Sequence, residues 1–213
     1  MTIIRRRTLA LLAGAALAPR DALGQTFPTR VIKIVVPYPA GGPVDALARL
    51  LTPELGALGQ GAIVENVGGG AGAIGARQVA KAEPDGHTLV LSTNQTHATN
   101  YILLKDPGYE AKDFAAVAGL ADLQHVLVVR NELPVRSVAE LVAHAKANPG
   151  KLNYGSTGNG SASHLAMELF KVKTGADLVH VPFRGAAPMA QELVAGRMEV
   201  FSLRGEPLTP TLS

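Results

Sequence analysis

Val31-Ile32-Lys33-Ile34-Val35-Val36-Pro37-Tyr38-Pro39-Ala40-Gly41-Gly42-Pro43-Val44-Asp45 reads as a buried strand, a tight Pro/Gly turn and the start of a helix. Gly41 and Gly42 allow backbone to approach a ligand without Cβ interference. Pro43 suits the first helical position, where its missing N–H costs nothing. The free N–H groups of that turn and the helix dipole attract a carboxylate or another small anion. Two readings stand: a carboxylate site, or one more strand-to-helix turn of an α/β domain.

Outward from this stretch, apolar runs alternate with helix-like segments, the pattern of a parallel or mixed α/β sheet. Val44, Leu47, Leu51, Leu55 and Leu58 share one helical face, and Pro53 is expected to kink or shorten that helix. Ala62–Glu65 reads as a strand, Gly68–Gly72 as a glycine loop, and the alanine-rich run to about Ala82 as a helix. Thr88–Leu91 is a third strand that ends in the polar cluster Ser92-Thr93-Asn94-Gln95-Thr96-His97. Phe114–Leu120 and Val126–Val129 read as further strands. Ser137-Val138-Ala139-Glu140 has the form of a capping box, opening a helix to Ala147. Leu152–Ser156 is a strand into a glycine-serine loop. A helix from near Ser163 is expected to carry Leu165, Leu169 and Val172 inward. Leu178–Pro182 is a strand and Met189–Ala195 a helix.

The first 24 residues have the organisation of an export signal. Arg5, Arg6 and Arg7 are basic, Thr8–Ala18 is apolar, and Ala22-Leu23-Gly24 offers small residues for cleavage. Sec and twin-arginine routes both remain open. The chain has 20 Lys+Arg and 17 Asp+Glu, but without the leader 16 of each sign are left. The basic pI of about 9.3 therefore belongs largely to the leader and is no argument for nucleic acid. Trp is absent and aromatics are scarce, so a base-stacking platform is not expected. The chain has no Cys, which excludes disulfide and thiol chemistry.

Three polar or glycine-rich loops follow strand ends, at Ala40, Ser92 and Gly155. Open α/β sheets bind ligands outside the carboxyl ends of their strands. Gly70-Ala71-Gly72-Ala73-Ile74-Gly75 matches the dinucleotide pattern G-x-G-x-x-G, yet the following strand ends in Ser92-Thr93-Asn94 and supplies no acid for a ribose. A tight loop with close helix packing is the better reading. Gly155-Ser156-Thr157-Gly158-Asn159-Gly160-Ser161-Ala162-Ser163-His164 is a second anion-friendly nest, with helix capping by Ser161 or Ser163 compatible with that use. His97 lies where a ligand can reach it. Arg184, just past a strand end, is placed to pair a carboxylate or to be solvated. His180, within a strand, reads as structural. The histidines show no metal spacing. These features suggest a solute receptor.

The sequence resembles the Bug/TctC family, periplasmic substrate-binding proteins of tripartite tricarboxylate transporters. The resemblance rests on Phe27-Pro28-Thr29-Arg30 through Gly42 with Asp45, on Val64-Glu65-Asn66 with its glycine loop, and on Ala82-Glu83-Pro84-Asp85-Gly86-His87-Thr88-Leu89. Lys112-Asp113-Phe114, Asn148-Pro149-Gly150-Lys151-Leu152-Asn153-Tyr154-Gly155-Ser156 through Leu165, and His180-Val181-Pro182-Phe183-Arg184-Gly185 complete it. His87 stands where the family usually has Tyr, and Asn100–Leu104 lacks the usual Asn-Pro.

The resemblance implies a two-lobed α/β fold of the type II periplasmic-binding-protein class. It implies a first lobe over 25–122 and a second over 123–201, cut short, with 202–213 an unrelated tail lacking helical or strand periodicity, so that the chain reads as a solute receptor or as a non-functional truncated remnant of one. It implies no catalysis and no cofactor. The partners implied are a small carboxylated solute and the membrane subunits of the transporter. Ala40, Gly41, Gly42 and Asp45 are expected at the carboxylate, with Tyr38 beside them. Asn94, Thr96 and His97 are expected from one lobe, and Ser156, Gly158, Asn159, Gly160, Ser161, His164 and Arg184 from the other. A reading of a different class is an exported α/β hydrolase that uses Ser156 or Ser161 with His164.

Overall fold

The computed structural model describes residues 26–204. The leader and most of the C-terminal tail lie outside the described residues.

The first lobe is a three-stranded parallel sheet of order β2-β1-β3. Strand β1 (Ile32–Val36) lies between β2 (Ala62–Asn66) and β3 (Thr88–Val90), with Ile34 opposite Val64 on one side and Leu89 on the other. A central parallel strand is covered on both faces, which explains its nearly unbroken apolar run. Ile34 and Val36 pack with Val44 and Ala48 of helix α1 (Pro43–Gly56). Helix α2 (Ala73–Ala80) packs on β1 and β3. Next come a one-turn π-helix, Gln95–Thr99, and the short helix α3 (Asn100–Leu103).

The second lobe is a four-stranded sheet of order β4-β7-β5-β6. Its strands are β4 (His125–Val129), β5 (Leu152–Ser156), β6 (Leu178–Pro182) and β7 (Val200–Arg204). Strand β7 runs parallel to β5 and antiparallel to β4. Helices α4 (Val138–Ala147) and α5 (Ala162–Thr174) bury Leu141, Ala145 and Met167 against Leu152, Tyr154, Leu178 and Val200. On the other face, Met189 of helix α6 (Ala186–Val194) packs with Met198 and Phe201. Gly155 gives that face its fit, since a Cβ there would lie 2.9 Å from the Phe201 ring.

Several expectations change. Helix α1 runs through Pro53 to Gly56. The carbonyl of Arg49, which Pro53 cannot serve, accepts from Thr52 Oγ1 at 2.8 Å. Leu58 falls beyond the helix and is exposed. Phe114–Leu120 forms no strand: only Phe114 turns inward, against the rings of His97 and Tyr109, and residues 115–120 are exposed. In α5 the inward residues are Ser163 and Met167, with Phe170 partly buried. Leu165, Leu169 and Val172 face out. The two sets have the same spacing but lie two positions apart, about 200° around a helix. The capping serine and the Tyr154–Glu168 bond, 2.5 Å, fix the rotation. Ser202, expected in a tail without periodicity, lies in β7, which continues to Arg204 because β4 pairs with it along its whole length.

The capping box is half-formed. Ser137 Oγ accepts from the Glu140 N–H at 3.2 Å, while the Glu140 carboxylate accepts from the N–H of Arg136.

Candidate functional site

The parallel strands of both sheets point their carboxyl ends at a common cleft, and the lobes touch across it. Gln95 Nε2 donates to the Asn159 carbonyl at 3.1 Å. A Cβ on Gly185 would lie 3.2 Å from Pro39 Cδ, and one on Gly160 would lie 2.7 Å from Leu103 Cδ1. Tyr38, Pro39, Gln95, Thr157 and Gly185 form a shared wall between two chambers, one of about 70 Å³ and a wider one of about 860 Å³.

Three helix N-termini line the smaller chamber: Gly42, Pro43 and Val44 of α1, Ser161, Ala162 and Ser163 of α5, and Gly185 and Ala186 of α6. In α1 the first helical bond runs from the Ala46 N–H to the Gly42 carbonyl at 3.0 Å, which leaves the Val44 and Asp45 N–H groups ahead of it. In α5 the Ser161 Oγ takes the His164 N–H at 3.2 Å and shares a 2.9 Å bond with Ser163 Oγ. Converging dipole ends and first-turn N–H groups favour an anion.

Asp45 lines the chamber but is committed to holding the turn. Its carboxylate accepts from the Gly41 N–H at 2.9 Å, Arg49 Nε at 3.0 Å and Asn66 Nδ2 at 3.0 Å. The bond from Arg49 chiefly holds its pKa below the usual carboxylate value, with Gly41 and Asn66 adding to the effect. The local charge is thereby offset, so an incoming anion meets backbone N–H groups. Tyr38, whose hydroxyl lies 2.8 Å from Thr93 Oγ1, closes one side.

Of the expected site residues, Tyr38, Gly42, Asp45 and Ser161 line the small chamber. Gly158, Asn159 and Arg184 line the wide one together with the glycine loop Gly68–Gly72. The others have different settings. Ala40, Gly41 and Asn94 are exposed outside both walls. Thr96 is fully buried, with its Oγ1 on the Thr93 carbonyl at 3.0 Å. His97 Nδ1 is held by Ser92 and Thr96 hydroxyls, and burial lowers its pKa. Behind the cleft lies a hydrogen-bonded layer in which Ser156 bonds His180 and Gly160 bonds His164, and none of Ser156, Gly160 and His164 lines either chamber. Gln95 and Thr157 come from the two loops expected at the ligand, whereas Thr93, His125, Ser163, Gly185 and Ala186 were not expected in the wall. The signal for Ala186 was a glycine before a helix, the same cue that marked Gly42.

The layer behind the cleft also decides the hydrolase reading. Ser156 Oγ meets His180 Nε2 at 2.6 Å, not His164. The His164 Nδ1 accepts from the Gly160 N–H at 3.0 Å, and Ser161 Oγ bonds the backbone of His164 rather than its ring. Ser156 is wholly buried. The expected nucleophile–base pair is not formed. The G-x-G-x-x-G segment likewise serves packing: Gly70 and Gly72 have positive φ, and a Cβ on Gly75 would lie 2.9 Å from the Val67 carbonyl.

The family described as "Tripartite tricarboxylate transporter family receptor" matches residues 47–206. A UPF0065 protein from the tcbD-tcbE intergenic region of Pseudomonas sp. is 38% identical over 92% of this chain and 59% of its own length. Protein BugT of Bordetella pertussis is 37% identical over 86% of this chain and 56% of its own. A Rhodopseudomonas palustris protein solved with adipate superposes with a TM-score of 0.80 at 40% identity, covering 83% of this chain and 60% of that one. MatC of the same organism, solved with bound malate, gives 0.75 at 35%, covering 82% and 60%. The chain thus spans about 60% of the length of these relatives. Sequence match and two-lobed architecture agree: the chain belongs to the tripartite tricarboxylate transporter receptor family, the Bug/TctC proteins.

Proposed function

We propose that this protein is a periplasmic solute receptor that captures a small carboxylate-bearing acid and presents it to the membrane subunits of a tripartite tricarboxylate transporter. The observation that carries the reading is the convergence of three helix N-termini on one small chamber. The adipate and malate in the two R. palustris relatives support a dicarboxylate as the ligand class. One carboxylate sits in the small chamber and takes N–H groups of α1 and α5. The remainder extends into the wide chamber, toward Asn159 and Arg184. The protein binds and releases, and performs no bond chemistry. Residues 1–24 direct export.

Calorimetry with adipate, malate and dimethyl adipate tests the reading. Saturable binding of a diacid and none of the diester is the expected result; equal behaviour of acid and ester overturns it. Arg184→Gln is expected to weaken the diacid about fivefold, the effect of one exposed charge-assisted contact. It should leave a monocarboxylate of the same length unchanged.

A further inference from the structure

Thr157–Ser161 is one of the loops that bring the second lobe onto the first. Its Asn159 carbonyl takes the bond from Gln95, its Gly160 abuts Leu103, and Ser161 caps α5 in the chamber wall. Beneath it stands a column of three rings. His164 stacks on His180 with centroids 4.1 Å apart and planes 13° apart, and His180 stacks on Tyr154 at 4.8 Å and 19°. Tyr154 is fully buried and donates to Glu168, which Lys171 also bonds at 3.1 Å.

Besides the Ser156 hydroxyl, which joins His180 Nε2 at 2.6 Å to the Gly158 N–H at 3.2 Å, the column meets the loop at one ring atom of His164. The Gly160 N–H donates to His164 Nδ1 at 3.0 Å. This bond needs a lone pair on Nδ1 and so places the ring proton of neutral His164 on Nε2. A second proton, on Nδ1, would set two donors against each other. The groups around the ring are His180 on β6, with Tyr154 of β5 beyond it, and Glu168 and Lys171 on its own helix. The stack tolerates one charged imidazole but not two at this separation. His180 stays neutral, its pKa pushed down to about 4 by burial and by the charge of His164.

We propose that His164 is a positioning residue: as a neutral acceptor for the Gly160 N–H it holds the Thr157–Ser161 loop in its ligand-facing, lobe-touching position, and protonation of its Nδ1 releases the loop and the bound carboxylate. This rests on the receptor reading above for its consequence, though not for its geometry. Acid release would thus be built into the loop.

The test has two arms. In the first, the free 213-residue chain is titrated by NMR between about pH 7.5 and pH 5, a range that spans imidazole protonation. The expected result is an Nε2–H tautomer for His164 at the upper end, and a Gly160 amide that moves with the same midpoint as the ring. A Gly160 amide indifferent to His164 titration overturns the proposal whether or not any acid binds. In the second arm, adipate affinity is measured at both ends of the range in the wild type and in His164→Asn, whose side-chain oxygen accepts the Gly160 N–H but does not titrate. The wild type should lose about fivefold more affinity on acidification than His164→Asn, the size of one hydrogen bond, since protonation of adipate itself weakens both alike. A parallel loss in both proteins assigns the effect to the ligand and overturns the proposal. If adipate binds neither protein, the receptor reading fails with this acid and the first arm alone decides the role of His164.

Discussion

Replacing Asp45 with alanine is expected to abolish carboxylate binding and to cost about 2–4 kcal/mol of stability. Asp45 is 4% exposed and takes three hydrogen bonds, from Gly41, Arg49 and Asn66. Its removal leaves the Gly41 N–H and one proton of the Asn66 amide without an acceptor. Arg49 loses its carboxylate partner near the positive end of α1. The turn from Pro39 to Gly42 then loses its side-chain anchor and keeps only the helical bond from Ala46 to the Gly42 carbonyl, and the first-turn N–H groups no longer point at one place. The pH dependence carries a sign that checks the cause. The folded pKa of Asp45 lies below its unfolded value of 3.8. Its contribution is therefore fully present above pH 3.8 and is lost as pH falls through the lower folded value. Denaturant titrations should show this acid loss in the wild type and a smaller one in Asp45→Ala. Wild-type adipate affinity in the variant would mean that the turn does not form the site.

Gly72→Val is expected to destabilise the chain by about 3–5 kcal/mol, the sum of a left-handed backbone that valine avoids and an overpacked contact. Gly72 has φ of +84° at the entrance of α2, and a Cβ there would lie 2.6 Å from Thr96 Cγ2 and 3.4 Å from the Pro37 carbonyl. Thr96 cannot withdraw. It is fully buried, its hydroxyl is committed to the Thr93 carbonyl, and its own carbonyl accepts from the Tyr109 hydroxyl at 2.6 Å. The clash therefore reaches the π-turn that carries Gln95, and with it the contact between the lobes. Gly119→Ala is the control, because nothing lies within 4 Å of its Cβ position. It should change the unfolding free energy by less than about 0.5 kcal/mol. Equal stability of the two variants would remove close packing as the reason for the glycine loop.

Most strands were legible because each parallel strand is an apolar run closed by a polar or glycine turn, as in Val31–Gly42 and Leu152–Gly158. Phe114–Leu120 has the same composition but finds no neighbouring strand among the described residues, and periodicity carries no information about neighbours. Strand β7 failed in the opposite sense. Val200–Arg204 has too little alternation to be read, yet it is held between β4 and β5 by long-range pairing. The face of α5 was misread because two stripes of equal spacing compete, and side-chain bonds to Tyr154 and within the serine cap decide between them. The site followed the same division. Loops after strands contribute Tyr38, Gln95 and Thr157 to the chamber walls. Within them, polar residues such as Thr96, Ser156 and His164 proved to brace the loops, while much of the chamber wall comes from helix starts whose side chains carry no chemical signal, Pro43, Ala162 and Ala186.

Carboxylate capture, as proposed, depends on the small chamber at the three helix N-termini. An amide-resolved NMR titration of the 213-residue chain with adipate, repeated with malate, tests it most directly. The predicted result is saturable movement of the Val44, Asp45, Ser163 and Ala186 amides with a single binding constant for at least one diacid. Saturable shifts confined to residues outside the two chambers, or none with either acid, would contradict it.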